Sequence, residues 1–463
     1  MTRERNVTGH VSPVRSYGLG LLLALTLIRG VLYAVVIPPW QAPDETGHFE
    51  YAWLIAHLGR LPHADDVSPA FEQELVGSLY EWRYGEFIGR PLPEGMPARL
   101  SDLPGKIFAS RSRVVLTQRF SLSYLWQALF LLPLRAHDLI TQLYAARFSS
   151  ILLNVAIVWL AYKTFAKLVP ASPYLAWAMT AIVVLWPQHT FINSMVGDGT
   201  LAELMACVVL YCWARLFHHG VEIWTVVGIV LGTLAGLWSK TTAAFLLPLD
   251  IGLALAWSAR RLRWPWRWQH LAYLGVCIAW LLAAVGAWLQ SPSGSAVLVG
   301  LEERLFPLDL VWTDARGMTL GEALLLSHDS FWAFFGWMAV PASKRWYGAL
   351  LLLTGLAALG WLLGRSESRD VPAGSARLMG TSFVVAFAIF VWIALLSTQS
   401  GYYQFQGRYL FPVIVPVVFL LAAGWTRLVP SQSQWLLLAT GVMFVALFDV
   451  WSVLMYIIPY FYG

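Results

Sequence analysis

Apolar runs long enough to cross a bilayer recur along almost the whole chain. They lie at 17–37, 120–136, 143–162, 174–192, 200–217, 222–239, 241–258, 271–289, 347–364, 380–397, 409–426 and 434–458. A run of about 20 apolar residues makes a spanning helix, and the alternating ten-residue strands of a membrane barrel are absent. The pattern therefore predicts an all-α polytopic membrane protein with about 11–12 transmembrane helices. Two long stretches interrupt it, 38–119 and 290–346. They divide the chain into an N-terminal membrane module, 1–289, and a C-terminal part, 290–463, each with one long loop. There is no internal repeat and no low-complexity tract.

Inside the first loop the period changes. Pro38 and Pro39 stop the first helix, and Pro43 precedes Asp44. Phe49, Ala52, Trp53 and Ala56 then recur at i, i+3, i+4 and i+7, the apolar face of a short helix. Asp44, His48 and Tyr51 fall on another face. This predicts an amphipathic helix lying along the membrane surface. "LGEALLLSHDSFWAFFGWMAVP" (320–341) predicts a second one with an aromatic face, a lid or wall for a lipid ligand or simply packing on the bilayer.

Composition agrees with the pattern. The chain has 463 residues, 58% hydrophobic and 12% charged, against about 25% charged in a soluble domain. The net charge of +5 reports basic loops beside a membrane and does not imply nucleic-acid binding. Cys207, Cys212 and Cys277 all lie in apolar segments without metal-ligand spacing, so neither a disulfide framework nor a zinc site is expected. The run at 17–37 lacks a small-residue cleavage site and reads as a retained first helix.

Lys and Arg in short loops set the expected orientation. Arg3, Arg5 and Arg15 place the N-terminus in the cytoplasm, and the basic loops 259–269 and 365–377 lie on the same side. By that count 38–119, the turn 193–199, Lys240, 290–346 and 397–409 share the outer side. Six segments between 119 and 259 give the wrong parity for full crossings. One of them fails to cross, or two form one broken unit. The expected exception is 120–136, short and closed by Pro133 and Arg135.

The candidate chemistry gathers on that outer side. Asp44 suits a helix N-cap, and acidic residues suit a first turn. A cap explains one carboxylate but not Glu45 and His48 beside it. A carboxylate there, partly shielded from water, has the setting a general base needs. In "WPQHTFINSMVGDGTLAEL" (186–204), Asp198 caps the next helix and His189 and Asn193 hydrogen-bond at the interface, or Asp198 is a second carboxylate of a shared pocket. Lys240, in "GLWSKTTAAFLLPL", stands between apolar runs with no counter-charge nearby. It either snorkels or meets an anionic ligand. Arg408, in "YYQFQGRYLFPVIVP", is flanked by Gln404, Gln406 and Tyr409. It is an aromatic-belt anchor or a phosphate clasp. Lys344 and Arg345, with Arg111, Arg113 and Arg119, are weaker outer-side cations. No Walker loop, H-E-x-x-H or G-x-S-x-G is present, which removes support for ATP-driven transport and zinc proteolysis.

"PDETGHFEYAWLIAHLGRL" resembles the signature of GT-C superfamily glycosyltransferases, in which an Asp-Glu pair opens a membrane-parallel helix after the first span. More narrowly, "PPWQAPDETGHFEYAWLIAHLG", "NSMVGDG", "SKTTAAFLLPL", "FWAFFGW" and "FQGRYLFPVIVP" together are similar to a bacterial membrane-protein family designated domain of unknown function 2142. The similarity runs from about residue 17 to 430. It implies a polyprenyl-phosphate sugar donor and action on the outer face of the bacterial cytoplasmic membrane. It also implies transfer to an acceptor hydroxyl on a glycan, lipid or protein. Asp44 takes the place of the catalytic acidic residue, with Glu45 beside it. Lys240, Arg408, Gln406, Tyr409 and Lys344 are expected to bind the donor phosphate. His48, Asn193 and Asp198 are expected to bind substrate. Asp198 matches a second acidic position that in some members helps hold a metal or the donor. A single Asp replaces a D-x-D here, which leaves a divalent metal open as the one cofactor.

Two other classes compete. A transporter or flippase of lipid-linked glycans predicts ionisable residues deep in the membrane and repeat symmetry. Glu203 and Asp449 are the only deep carboxylates that point that way. A surface-polysaccharide polymerase or ligase commonly relies on outer-loop arginines, which the Asp-Glu start does not match.

Overall fold

The structure is a computed structural model that describes residues 13–63, 66, 68–103, 120–261, 318–363, 371–399 and 405–463. The candidate span 271–289, the boundary near 289, Arg111, Arg113, Arg119 and Gln404 lie outside these residues, as does most of the basic loop 259–269.

The apolar runs become helices. α1 (Pro13–Val36) stops just ahead of Pro38 and Pro39, with the Ile37 N–H still donating to Tyr33 at 3.1 Å. α2 (Glu45–Leu58), α3 (Pro69–Glu81) and the single turn α4 (Tyr84–Phe87) follow. Next come α5 (Leu122–Leu131), α6 (Leu139–Leu168), α7 (Pro173–Leu185) and α8 (Pro187–Asn193). α9 (Gly199–His219), α10 (Ile223–Ser239) and α11 (Leu246–Arg261) complete this half. The second half holds α12 (Leu320–Trp332), a hairpin of β1 (Phe334–Phe335) with antiparallel β2 (Val340–Pro341), and α13 (Lys344–Leu363). α14 (Ala373–Gln399), α15 (Ile414–Thr426), α16 (Gln434–Ser452) and α17 (Ile458–Tyr462) end the chain.

Among the described residues, eight helices are long and apolar enough to cross a membrane, and a ninth crossing arises if α7 and α8 count as one span. The chain is an all-α polytopic membrane protein. Leu122–Leu134 and Ile223–Ser239 are apolar but shorter. The ten residues of α5 rise only ~15 Å, about half a hydrocarbon core, which fits the exception expected at 120–136. The run 174–192 is not one straight helix. It breaks after Trp186 and bends by 60°. Pro187 lacks an N–H and takes the first position of α8, where none is needed.

The span Gly407–Thr426 is the centre of the bundle, 89% buried. α13 crosses it almost backbone to backbone. A Cβ on Gly360 would sit 1.9 Å from the Gly424 carbonyl oxygen, so only glycine permits the approach. Leucines such as Leu21, Leu362 and Leu363 stay exposed, as lipid-facing residues do.

The expectation that α2 rests its apolar face on the bilayer is corrected. Glu45 through Ala52 are buried, as are Leu54, Ile55 and Ala56. Phe49, Ala52 and Ala56 pack with Phe71 and Leu75 of α3 in a separate core cluster that also takes in Trp40 and Tyr124. Phe71 of α3 meets Phe49 and Trp53 at 6.3 and 4.5 Å between ring centroids, and α5 packs along α2, so protein covers the apolar face. α12 forms a wall. The Thr319–Glu322 capping box starts it, and Trp332 stacks on Trp186 at 3.8 Å.

Candidate active site

Two adjacent carboxylates begin α2, and the fold treats them oppositely. Glu45 is fully buried beside Arg147 of α6. Its oxygens accept from Arg147 Nε and Nη2 at 2.8 and 2.7 Å, from Trp40 N–H at 3.1 Å and from Val196 N–H at 3.2 Å. Arg147 also donates to the carbonyls of Ala34 and Ile37 at 2.7 and 2.8 Å and of Pro38 at 3.1 Å. Those carbonyls lie in the last turn of α1 and the turn that follows it, where helical acceptors lack intrahelical partners. One ion pair therefore ties together α1, the turn after it, the start of α2, α6 and the 196 turn.

Asp44 occupies the N-cap position without capping. Its backbone is left-handed (φ 61°, ψ 11°) and its side chain makes no capping hydrogen bond. A left-handed aspartate costs about 1–3 kcal/mol. The Asp44 side chain is 43% exposed, with its carboxylate 3.6 Å from Arg408 Nη2. Asp198, at the N-cap position of α9, does not cap either; it pairs with Lys240. The cap readings of both aspartates are corrected in the same way, because each side chain meets a cation instead.

These groups border one cavity of about 540 Å³, counted with its open mouth. His48, Asn193, Asp198, Thr200, Glu203, Lys240, Thr242, Arg408 and Tyr409 line it. Asp44 is not a lining residue and reaches its edge through Arg408. Tyr409 separates the two cations, its ring centroid 5.6 Å from Lys240 Nζ and 5.1 Å from Arg408 Cζ. A smaller cavity of about 200 Å³ shares Pro43 and Arg408 and includes Gln406.

α5 is the platform for this arrangement. Ser123 and Gln127 donate to the Asp198 and Gly197 carbonyls at 2.9 and 2.8 Å, and Ser121 donates to the Ser239 carbonyl at 2.7 Å. Asp198 and Lys240 are held in register through these bonds. The Tyr124 hydroxyl lies 2.7 Å from His48 Nδ1. Arg408 depends on a glycine. A Cβ on Gly407 would fall 2.2 Å from the Phe331 nitrogen, and the Gly407 N–H donates to Ser330 Oγ at 2.8 Å. "QGRY" therefore lies directly against the backbone of α12.

His48 and Asp198 are both held low, for different reasons. Burial pushes the His48 imidazole below its ordinary value, although Asp198 and Asp44 pull it up. Burial pushes the Asp198 carboxyl up, but the charge of Lys240, together with its hydrogen bond, outweighs it and holds it low. The site at neutral pH thus holds a neutral imidazole beside an ionised aspartate, 4.0 Å apart. Two donors are left over. Among the described residues, Arg408 Nε and Thr242 Oγ1 are buried without a hydrogen-bond partner.

Asp44, His48, Asn193, Asp198, Lys240, Arg408 and Tyr409 are brought together, and Gln406 joins them at the smaller cavity. Glu45 is turned away and saturated. Lys344 is exposed at the start of α13 and lines neither cavity. Arg147, Thr242 and Tyr124 are additional. Arg147 had a signal, since an arginine inside the run 143–162 demands a partner. Thr242 and Tyr124 had none beyond their neighbours. Among the described residues no three His, Cys, Asp or Glu side chains group to hold a metal ion. Asp198 is engaged by Lys240, so the donor set does not fit a divalent metal.

No family model, curated protein or solved structure matches the chain. The GT-C resemblance rests on the quoted motifs.

Proposed function

We propose that the protein transfers a sugar from a polyprenyl-phosphate-linked donor to an acceptor hydroxyl of a glycan, lipid or protein. The reading places this on the outer face of a bacterial cytoplasmic membrane. The observation that supports it most is the pairing of a half-exposed aspartate with half-buried cations. Asp44 stands 3.6 Å from Arg408, and Lys240, Arg408 and Thr242 line one cavity with two donors unused. Unused buried donors suit an anionic oxygen, and a guanidinium suits phosphate.

In this reading the donor phosphate takes over Arg408 from Asp44. The freed carboxylate accepts the proton of the acceptor hydroxyl as that oxygen bonds the anomeric carbon. The bond from the anomeric carbon to the phosphate oxygen breaks, and its electron pair leaves with the lipid phosphate. Arg408 and Lys240 stabilise the charge that grows there, the kind of term that carries most of many rate enhancements. Incubation of the purified protein with a panel of polyprenyl-phosphate sugars, with released polyprenyl phosphate as readout, tests it. Release from at least one donor is expected, and release from none rejects the reading.

A transporter or flippase is the second reading. The Arg29–Asp449 pair favours it, buried between α1 and α16 and joined by Tyr33 at 2.8 Å and Thr190 at 2.8 Å. Buried charges in spanning helices often mark transport paths. Movement of a labelled lipid-linked glycan across proteoliposomes without sugar transfer would establish it over the first.

A further inference from the structure

The floor of the larger cavity carries a carboxylate that the proposed transfer step does not use. Glu203, on α9, is 1% exposed and lines the cavity. His189 Nε2 lies 2.6 Å from Glu203 Oε1, and Asn193 Nδ2 donates to Glu203 Oε2 at 3.0 Å. Thr200 donates to Asn193 Oδ1 at 3.0 Å and holds the amide in that orientation. The His189 ring packs edge-on against Phe411 at 5.3 Å. The carboxylate is therefore fixed by two side chains, His189 and Asn193, that are themselves fixed.

Two oxygens of a carboxylate offer about four acceptor positions, and two of Glu203's are taken. Glu203 shares the cavity lining with two cations and Asp198. The cavity thus offers a carboxylate with spare acceptor positions and cations that suit an anion. An occupant that matches both carries a hydroxyl and an anionic group.

Resting on the donor reading above, we propose that Glu203 is a specificity-determining residue that accepts a hydrogen bond from one ring hydroxyl of the transferred sugar. His189, Asn193 and Thr200 are its positioning residues. Asn193, expected from the sequence to touch substrate, spends its side chain on Glu203, His189 and Thr200. A buried acceptor left without its hydroxyl is costly, so such a site rejects the deoxy analogue far more strongly than a merely snug pocket does.

The test measures binding to the full-length protein in nanodiscs. The probes are bare polyprenyl phosphate, polyprenyl-phosphate glucose, galactose and mannose, and the monodeoxy forms of whichever of the three binds tightest. The wild type is expected to lose at least about tenfold in affinity for one member of the deoxy series. Glu203→Gln is expected to bind bare polyprenyl phosphate as the wild type does and to lose that discrimination. Thr200→Val, which frees the Asn193 amide without touching the charge, is expected to weaken the discrimination partway and stands in if Glu203→Gln does not fold. Equal affinity of the wild type for all deoxy forms overturns the proposal, as does unchanged discrimination in the variants, while bare polyprenyl phosphate still binds and the donor reading stands. Failure of the wild type to bind any of the probes overturns the donor reading and this proposal with it.

Discussion

Asp44 and Glu45 are neighbours in sequence, and each has an arginine. Everything else about them differs. Glu45 is fully buried and accepts four hydrogen bonds, two of them from Arg147. Asp44 is 43% exposed and meets Arg408 at 3.6 Å, beyond hydrogen-bond length. Arg147 also holds three backbone carbonyls, whereas Arg408 keeps a buried Nε without a partner. A saturated pair holds structure in place. An unsaturated pair beside a cavity keeps capacity for a ligand. The first makes the second possible, because the Glu45 clamp fixes the turn that puts Asp44 at the cavity's edge.

Breaking the clamp has the largest expected effect. Arg147→Met leaves the Glu45 carboxylate buried and unpaired, which costs about 3–5 kcal/mol. Thermal unfolding in detergent should show a large loss of stability. The double variant Arg147→Met with Glu45→Leu should recover much of it, since removing both charges removes the penalty. No recovery would mean that the carbonyl bonds of Arg147, not the ion pair, carry its role.

Perturbing the unsaturated pair should change activity and leave stability nearly alone. Arg408→Lys keeps the charge but loses the planar fork and the free Nε. A fall of about 10²–10³ in kcat/KM, the size seen when one transition-state donor is removed, is expected with little change in melting. A fall in melting as large as that of Arg147→Met would erase the distinction between the two pairs.

The smallest effect concerns pH. Burial holds the folded His48 below the ordinary 6.5, so between the two values the unfolded chain binds more protons than the folded one. The stability from neutral His48 is complete above about pH 6.5 and is lost as the pH falls through the folded value. Melting curves from about pH 7.5 down to 5 should show this as a decline that His48→Gln reduces. An identical decline in that variant would place the titrating group elsewhere.

Much of the site was legible because few residue types belong where these stand. A cation between apolar runs on the side that disfavours positive charge needs an anion, and that singles out Lys240 and Arg408. The same rule applied to Arg147 points to the clamp. Asp44, Asp198 and His48 were legible as a cluster on one side through loop charges alone. Their geometry was not. Capping rules assign both aspartates to helix starts, and only tertiary pairing reveals that neither caps. The covering of α2 was equally hidden, since an i, i+3, i+4 pattern looks the same whether bilayer or protein covers the apolar face. The break at Trp186–Pro187 could be read from the proline. The platform role of α5 could not, because two serines at the start of an apolar segment and a glutamine in its middle announce no particular partner.

The central claim is that Asp44, free of the clamp that holds Glu45, takes the acceptor proton. Asp44→Asn tests it most directly, since asparagine tolerates the left-handed backbone as aspartate does and removes only the basic oxygen. Release of polyprenyl phosphate from the donor that the wild type consumes should fall by about 10²–10⁴, with the melting temperature unchanged. Release within about twofold of the wild type, a difference below half a kcal/mol, would contradict the account.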